Sequence, residues 1–302
     1  MHCIYPRMSA RLRNGRLHRQ TVARITRGAV VPNNRLPLAW LALVATLFAV
    51  IGAEIAPARA AEALALKTLG FSPDGRYFGF VQYGGQGDGS SYLAELSIID
   101  ANDDRLIKGT PVRVVAEMRE TSPNEEEEIA EVVIKAEQRA AALIKRLGLS
   151  KPGEVLDRVA EARIGETHTG SGGPSLGVDA VSVKHSSLGE LSLKLETKEI
   201  DWPKTSKLGR HKEATTCASE VDWQKGAGFR LTLTHNGRPI VLNDDKTIPA
   251  SRQCAMGYGI SEVRAFARPD GRVTIAVILG MHVRGFEGED RVFLAVTRIV
   301  GN

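Results

Sequence analysis

From Leu64 onward, apolar and polar residues alternate over short runs separated by turn residues, the pattern of half-buried strands. Leu64 to Phe71 is the first such run, and it ends in Ser72-Pro73-Asp74-Gly75. Proline presets φ and glycine supplies φ > 0, so this tetrapeptide predicts a turn. Arg76 to Tyr83, Tyr92 to Ile99 and Val112 to Ala116 follow as strands. Between them lie a Gly-rich loop at Gly84 to Ser91 and a polar turn at Asp100 to Asp104. A flexible Gly/Ser/Thr loop spans Gly165 to Gly177, and strands return beyond it. Leu191 to Ile200 alternates with period two, and Phe229 to Thr234 and Ile240 to Leu242 flank the hairpin signal Asn236-Gly237. Ile260 to Ala267, Val273 to Leu279 and Val292 to Val300 complete the set.

One stretch has a different period. Ile129, Val132, Val133, Ala136, Ala140, Leu143, Ile144 and Leu147 form a helical stripe. Ser122-Pro123-Asn124-Glu125 precedes it as a capping box with proline at the first helical position, and Gly148 is placed to end it. Ser150-Lys151-Pro152 starts a second, weaker helical pattern that runs to about Arg163. The expectation is a mainly β fold of antiparallel sheets, as propeller-like blades or a sandwich, with a helical hairpin inserted at about 122–164. Pro73-Asp74-Gly75-Arg76 also recurs as Pro269-Asp270-Gly271-Arg272, each copy after a phenylalanine-bearing strand. Such an echo arises from duplication or from two independent hairpins.

Charge alters how the N-terminal part reads. The chain has 302 residues and a formal net charge of +5, but its first 60 residues hold nine arginines, no lysine and one acid, Glu54. Residues 61–302 therefore carry 31 basic and 34 acidic side chains, with no nucleic-acid footprint. The N-terminal segment is Arg-rich through Arg35, apolar from Leu36 to Ala53, and ends in Ala58-Arg59-Ala60. A basic flank, an apolar run and small residues at the cleavage positions describe a signal peptide. Residues 1–60 are therefore expected to be a leader, with Ala61 as the mature N-terminus and 61–302 as one secreted or periplasmic domain. An uncleaved anchor and a mitochondrial transit peptide are the alternatives. The basic segment is long for a leader, which points to a start further downstream, at Met8 or near Val30 and Val31.

Phe71-Ser72-Pro73-Asp74-Gly75-Arg76-Tyr77-Phe78-Gly79-Phe80 resembles one blade motif of the TolB-type β-propellers, periplasmic partner-binding domains. A wider resemblance combines Leu69 to Gly75, Gly87-Asp88-Gly89-Ser90, Pro249 to Cys254 and Gly285 to Arg291. Together these resemble an uncharacterised bacterial family of predicted secreted proteins. That resemblance implies export and carries no catalytic residue, cofactor or activity.

Several segments imitate known sites. Gly170-Ser171-Gly172-Gly173-Pro174 resembles the nucleophile segment of trypsin-like proteases. That family places its base and acid earlier in the chain, and between the leader and Ser171 the sole histidine is His168. Asp100, Asn102 and Asp104 have calcium-loop spacing, but Arg105 and Pro111 stand where the loop needs glycine and glutamate. Glu287, Glu289 and Asp290 form an acidic cluster that suits a hairpin tip or a cation. His168, His185, His211, His235 and His282 show no zinc spacing, and there is no Walker loop or dinucleotide fingerprint, so no metal and no cofactor are expected. Trp202 and Trp223 are too few for a stacking platform. Cys217 and Cys254 are the two cysteines beyond the leader, and an oxidising compartment pairs them as a disulfide.

No catalytic set emerges. The sequence favours a non-catalytic periplasmic binding or protein-interaction module. Its partner would be an envelope protein or small ligand, and membrane contact would come solely through an uncleaved leader. The alternative is a periplasmic hydrolase whose site is assembled from distant loops.

Overall fold

The computed structural model describes residues 63–86, 90–119, 124–159, 177–201, 225–252, 254–284 and 289–301. Among the described residues the fold is mainly β, with three antiparallel sheets and one α-helix, as the patterning predicts. Sheet 1 holds β1 (Ala65–Phe71), β2 (Tyr77–Gly85) and β3 (Ser91–Asp100), with β4 (Arg105–Leu106) and β5 (Val112–Glu117) sharing the far side of β3. The helix α1 (Glu125–Leu147) follows, then β6 (Glu154–Arg158). Sheet 2 is the meander β7 (Ala180–His185), β8 (Gly189–Asp201), β9 (Lys225–His235) and β10 (Arg238–Asp244). Sheet 3 is β11 (Ala255–Ala267), β12 (Val273–Arg284) and β13 (Glu289–Val300), with β6 on the outer side of β11.

The turns form where positive φ is available. Gly75 sits at φ 67°, Gly271 at 82°, and Asn236 and Gly237 at 50° and 71°. That last pair is the two-residue hairpin geometry that Asn-Gly favours.

Sheet 3 has two buried faces. Along β12, Val273, Ile275, Val277, Leu279, Met281 and Val283 point into one cluster with Leu191, Leu193, Leu195, Phe229, Leu231 and Leu233 of sheet 2. The intervening Ala276 and Ile278 point the other way, against Phe71, Phe78, Phe80 and Leu93 of sheet 1. The opposite face of sheet 1, with Val81, Tyr92, Ala94, Leu96 and Ile98, is covered by Val132, Val133, Ala136 and Ala140 of α1. Each of these large side chains contributes about 1.5–3 kcal/mol through burial.

Two sequence expectations need correction. Among its described residues the insertion holds one helix, not a hairpin: residues 154–158, within the second helical pattern, form β6 and pair with Ala265 to Glu262 of β11. Lys151 is tied to Phe71 through both its backbone N–H and its carbonyl, and Gly153 takes φ 66°, so a right-handed helix is interrupted before β6 begins. Pairing along a sheet edge then outweighs a weak helical pattern. The helix is also capped two residues later than expected, by Asn124, whose side chain accepts from the Glu126 N–H at 3.1 Å. Four glutamates in the first turn and Lys145 and Arg146 in the last match the helix dipole, and Gly148 ends it at φ 65°.

Phe71 joins sheets 1 and 3. Its ring lies 4.8 Å from that of Phe78 and 5.3 Å from that of Phe266. A Cβ on Gly153 would come within 2.6 Å of it. Phe71→Ala is expected to lower unfolding stability by about 3–5 kcal/mol in urea titration. Leu106→Ala, at a side chain 46% exposed, should stay within about 0.5 kcal/mol of the parent. Equal losses at the two positions would contradict this packing.

Candidate functional site

The two Pro-Asp-Gly-Arg turns lie against one another. Each closes in the same way: Gly75 N–H donates to Ser72 O at 2.8 Å, and Gly271 N–H to Arg268 O at 3.1 Å. Asp74 Oδ1 accepts Arg76 N–H at 3.1 Å, and Asp270 Oδ1 accepts Arg272 N–H at 3.0 Å. Thr274 donates its hydroxyl to the Gly75 carbonyl at 2.6 Å. A Cβ on Gly75 would lie 2.7 Å from the Phe266 ring.

From these turns a polar seam runs between sheets 1 and 3. The outward edge of β13 is closed by groups from sheet 1. Leu64 N–H donates to Arg291 O at 3.1 Å. Phe293 N–H donates to Gln82 Oε1 at 2.7 Å, and Gln82 Nε2 in turn donates to Glu95 at 3.1 Å. Asp104 Oδ1 accepts Thr297 N–H at 2.7 Å and its hydroxyl at 2.9 Å. Asp104 as a residue is exposed, but its carboxyl is turned inward. Desolvation there outweighs the Thr297 donors and raises its pKa.

The calcium-loop spacing resolves as a turn. Asp100 Oδ2 is gripped by Arg76 through Nε at 3.0 Å and Nη2 at 2.6 Å, and its Oδ1 accepts Asn102 N–H at 3.0 Å. Desolvation opposes ionisation of Asp100, but the Arg76 and Asn102 bonds overcome it and hold the carboxyl below its ordinary value. Asp104 faces Thr297 instead, so the three residues serve different partners. Among the described residues, no three His, Cys, Asp or Glu side chains are grouped to hold a metal.

The described histidines are buried. His185 Nδ1 accepts the N–H groups of Ser187 and Leu188 at 3.2 and 3.3 Å, and its Nε2 faces Glu154 at 3.6 Å. His235 Nε2 meets Leu188 O at 3.0 Å. Both rings therefore hold the β7–β8 turn. His282 stands opposite Arg291 across β12 and β13.

The ends of two loops expected to matter come together. Leu64 borders both Arg291, at the start of β13, and Gly84, at the end of β2. Gly177, which ends the 165–177 loop, lies instead against the Ile260 backbone of β11. His168, Ser171, Trp202, His211, Cys217, Trp223 and Glu287 lie outside the described residues. Cys254 is buried beside Ile248, and Arg252 caps this corner. Its guanidinium pairs with Asp245 and stacks 4.5 Å above Phe229.

The face of sheet 2 turned away from sheet 3 carries the polar half of the strand alternation. Ser182, Ser192 and Thr234 form a row across three strands. At one corner they line a depression of about 430 Å³ together with Lys184, Glu190 and Gly237. The alternation of Leu191 to Ile200 predicts a polar face. The strand Ala180–His185, which supplies Ser182 and Lys184, was not expected from the sequence.

The twin turns give a titration test. A side-chain hydrogen bond from Arg272 lowers the Asp270 carboxyl to about 2, against an ordinary value of 3.8. Because the folded pKa is depressed, any stabilisation is present above about 3.8 and is lost as pH falls towards about 2. Carboxyl NMR titration should place Asp270 near the lower value, and Arg272→Gln should return it towards the upper one. No change in that variant would remove Arg272 as the cause.

A family model described as "Predicted secreted protein (DUF2259)" matches residues 79–298, from β2 through α1 and all three sheets into β13. No curated protein matches the chain. No solved structure matches it either. No helix among the described residues is long and apolar enough to cross a membrane. With nearly the whole described unit matched, the chain belongs to DUF2259, a family of predicted secreted proteins of unknown function.

Proposed function

We propose that residues 1–60 are a leader cleaved after Ala60, and that the mature domain acts in the periplasm or outside the cell as a non-catalytic binding or protein-interaction module. The observation that carries this reading is the outward face of sheet 2. Sheet 1 is covered on both faces, by α1 and by sheet 3, and sheet 3 is covered by sheets 1 and 2. The hydroxyl row and the Lys184–Glu190 corner are left to solvent by the described residues, with a recess of a size that suits a small ligand or a partner's side chains.

Affinity capture from envelope extract tests the reading. The mature protein should retain a partner or ligand that the double variant Ser192→Lys, Thr234→Lys loses, with the fold intact by circular dichroism. Equal capture by both proteins would move the binding surface elsewhere. The leader is tested separately, by mass spectrometry of exported protein, which should begin at Ala61. Intact protein in the membrane fraction would indicate an anchor.

A disulfide between Cys217 and Cys254 belongs to the same proposal. The support for it is the pairing of the two cysteines beyond the leader in an exported chain. A bridge closing a loop of this length stabilises by about 3–4 kcal/mol in the chain-entropy view. Exported protein, denatured without reductant, should show no free thiol. Two free thiols would refute the bridge and weaken the argument for export.

The meeting of the 84–91 and 285–291 loop ends near buried His282 is the observation that favours a second reading, a hydrolase assembled from distant loops. Turnover of ester, peptide or phosphoester probes that is lost in His282→Ala would establish it over the first.

A further inference from the structure

The outer edge of β5 lacks the features that protect several of the other described sheet edges. β13 is closed by Leu64, Gln82 and Asp104. β10 carries Pro239 and a register shift between Val241 and Asn243. β6 has five residues. Proline, bulges, short strands and cover are the usual ways in which an edge is kept from pairing. β5 has a regular six-residue register against β3, from Leu96↔Val112 to Ser91↔Glu117. Its close neighbours are β3 and α1.

The direction of its backbone groups follows from two bonds. Met118 N–H donates to Ser90 O at 2.8 Å, so the even-numbered residues of this segment face β3. The carbonyl of Arg113 meets the side chain of Arg139 at 3.3 Å, so the odd-numbered residues look away. In an antiparallel ladder, the N–H and C=O of one residue point to the same side. Arg113, Val115 and Glu117 therefore present their backbone groups outward. Their side chains share the face opposite α1, and all three are exposed, Val115 to 49%.

We infer that β5 pairs antiparallel with β5 of a second copy of this chain, about a two-fold axis at Val115. The sequence Arg113-Val-Val115-Ala-Glu117 is self-complementary in that arrangement. Val115 meets Val115 of the second copy, Arg113 meets Glu117 of the second copy, and symmetry repeats the pair on the other side. Opposite charges directly across a sheet are favourable and like charges are not. The residues that meet in each backbone-bonded pair are those whose N–H and C=O already point outward, and the Arg113 carbonyl, held by Arg139 at 3.3 Å, accepts the second copy's N–H through its other lone pair. Sheet 1 then continues from one copy into the other. An interface made of one strand pair is small, so association is weak and depends on concentration.

Sedimentation of the full mature protein over a concentration series tests this. The expected result is a monomer–dimer equilibrium. Glu117→Arg sets arginine against Arg113 of the second copy and should weaken association by about tenfold. Glu117 stands opposite Ser91 within its own chain, so this change leaves the fold's charge pairs alone. Val115→Lys, an edge lysine at the axis, should abolish dimers. Arg113→Glu should weaken association as well, and the double variant Arg113→Glu, Glu117→Arg should restore it. Arg113 also faces Glu95 in its own chain, so circular dichroism accompanies both variants that alter it. A protein that stays monomeric at the highest concentration would overturn the proposal. So would dimers indifferent to Glu117→Arg and Val115→Lys.

Discussion

Phe71 stands where three segments of the chain cross, and the order of the layers depends on how its surroundings pack. Its backbone N–H donates to Lys151 O at 2.6 Å, and its carbonyl accepts the N–H groups of Lys151 and Ser150 at 3.1 and 3.3 Å. These bonds fix the point at which the chain returns from α1. Its ring fills the space left by Gly153 and meets Phe266 of β11. One residue thus sets the distance between sheet 1, the end of the helix and the first strand of sheet 3. Any side chain on Gly153 would strike both the ring and the Ala265 carbonyl, at 2.6 and 2.7 Å.

The two interfaces of sheet 3 are built from different chemistry. Towards sheet 2 the contact is aliphatic and aromatic, with Leu193, Leu231, Leu233, Ile260, Ile275 and Leu279 almost wholly buried. Such a surface stabilises by area and tolerates small changes of angle. Towards sheet 1 the apolar cluster around Phe71, Phe78, Phe80 and Ile278 is joined by specific hydrogen bonds of Gln82, Asp104, Thr274 and Thr297. Each such bond adds only about 1 kcal/mol net, but a buried group left without a partner costs more than that. The apolar clusters on both faces of sheet 3 supply most of the stability, and the polar seam fixes how sheet 1 is aligned over β13.

The strands and turns were legible because their signals are local. Asn236-Gly237 and the two Pro-Asp-Gly turns dictate backbone angles within four residues, and the apolar runs of β11 to β13 carry their own period. The stripe from Ile129 to Leu147 likewise named its helix. β6 was read as helix because Ser150-Lys151-Pro152 imitates a helix start, whereas its true partners lie on β11, more than 100 residues away. The seam was illegible for the same reason. Gln82 and Phe293 are 211 positions apart, and Asp104 and Thr297 are 193 apart. Neither glutamine nor aspartate advertises an edge amide as its partner. The calcium-like spacing of Asp100, Asn102 and Asp104 marks a turn, but the hold of Asp104 on β13 depends on Thr297, which no local signal names.

In this member of a family of predicted secreted proteins, the proposed binding face is the polar face of sheet 2, carried on layers that the seam makes rigid. The rigidity rests on the closed edge of β13. Native-state hydrogen exchange of the Phe293 and Thr297 amides probes it directly. Both point away from β12 and are bonded only to side chains of sheet 1. If the seam holds, both exchange only through global unfolding, as slowly as the central amides of β12. Exchange at the rate of an unprotected edge amide would show that sheet 1 does not close the edge and that the layers are not locked.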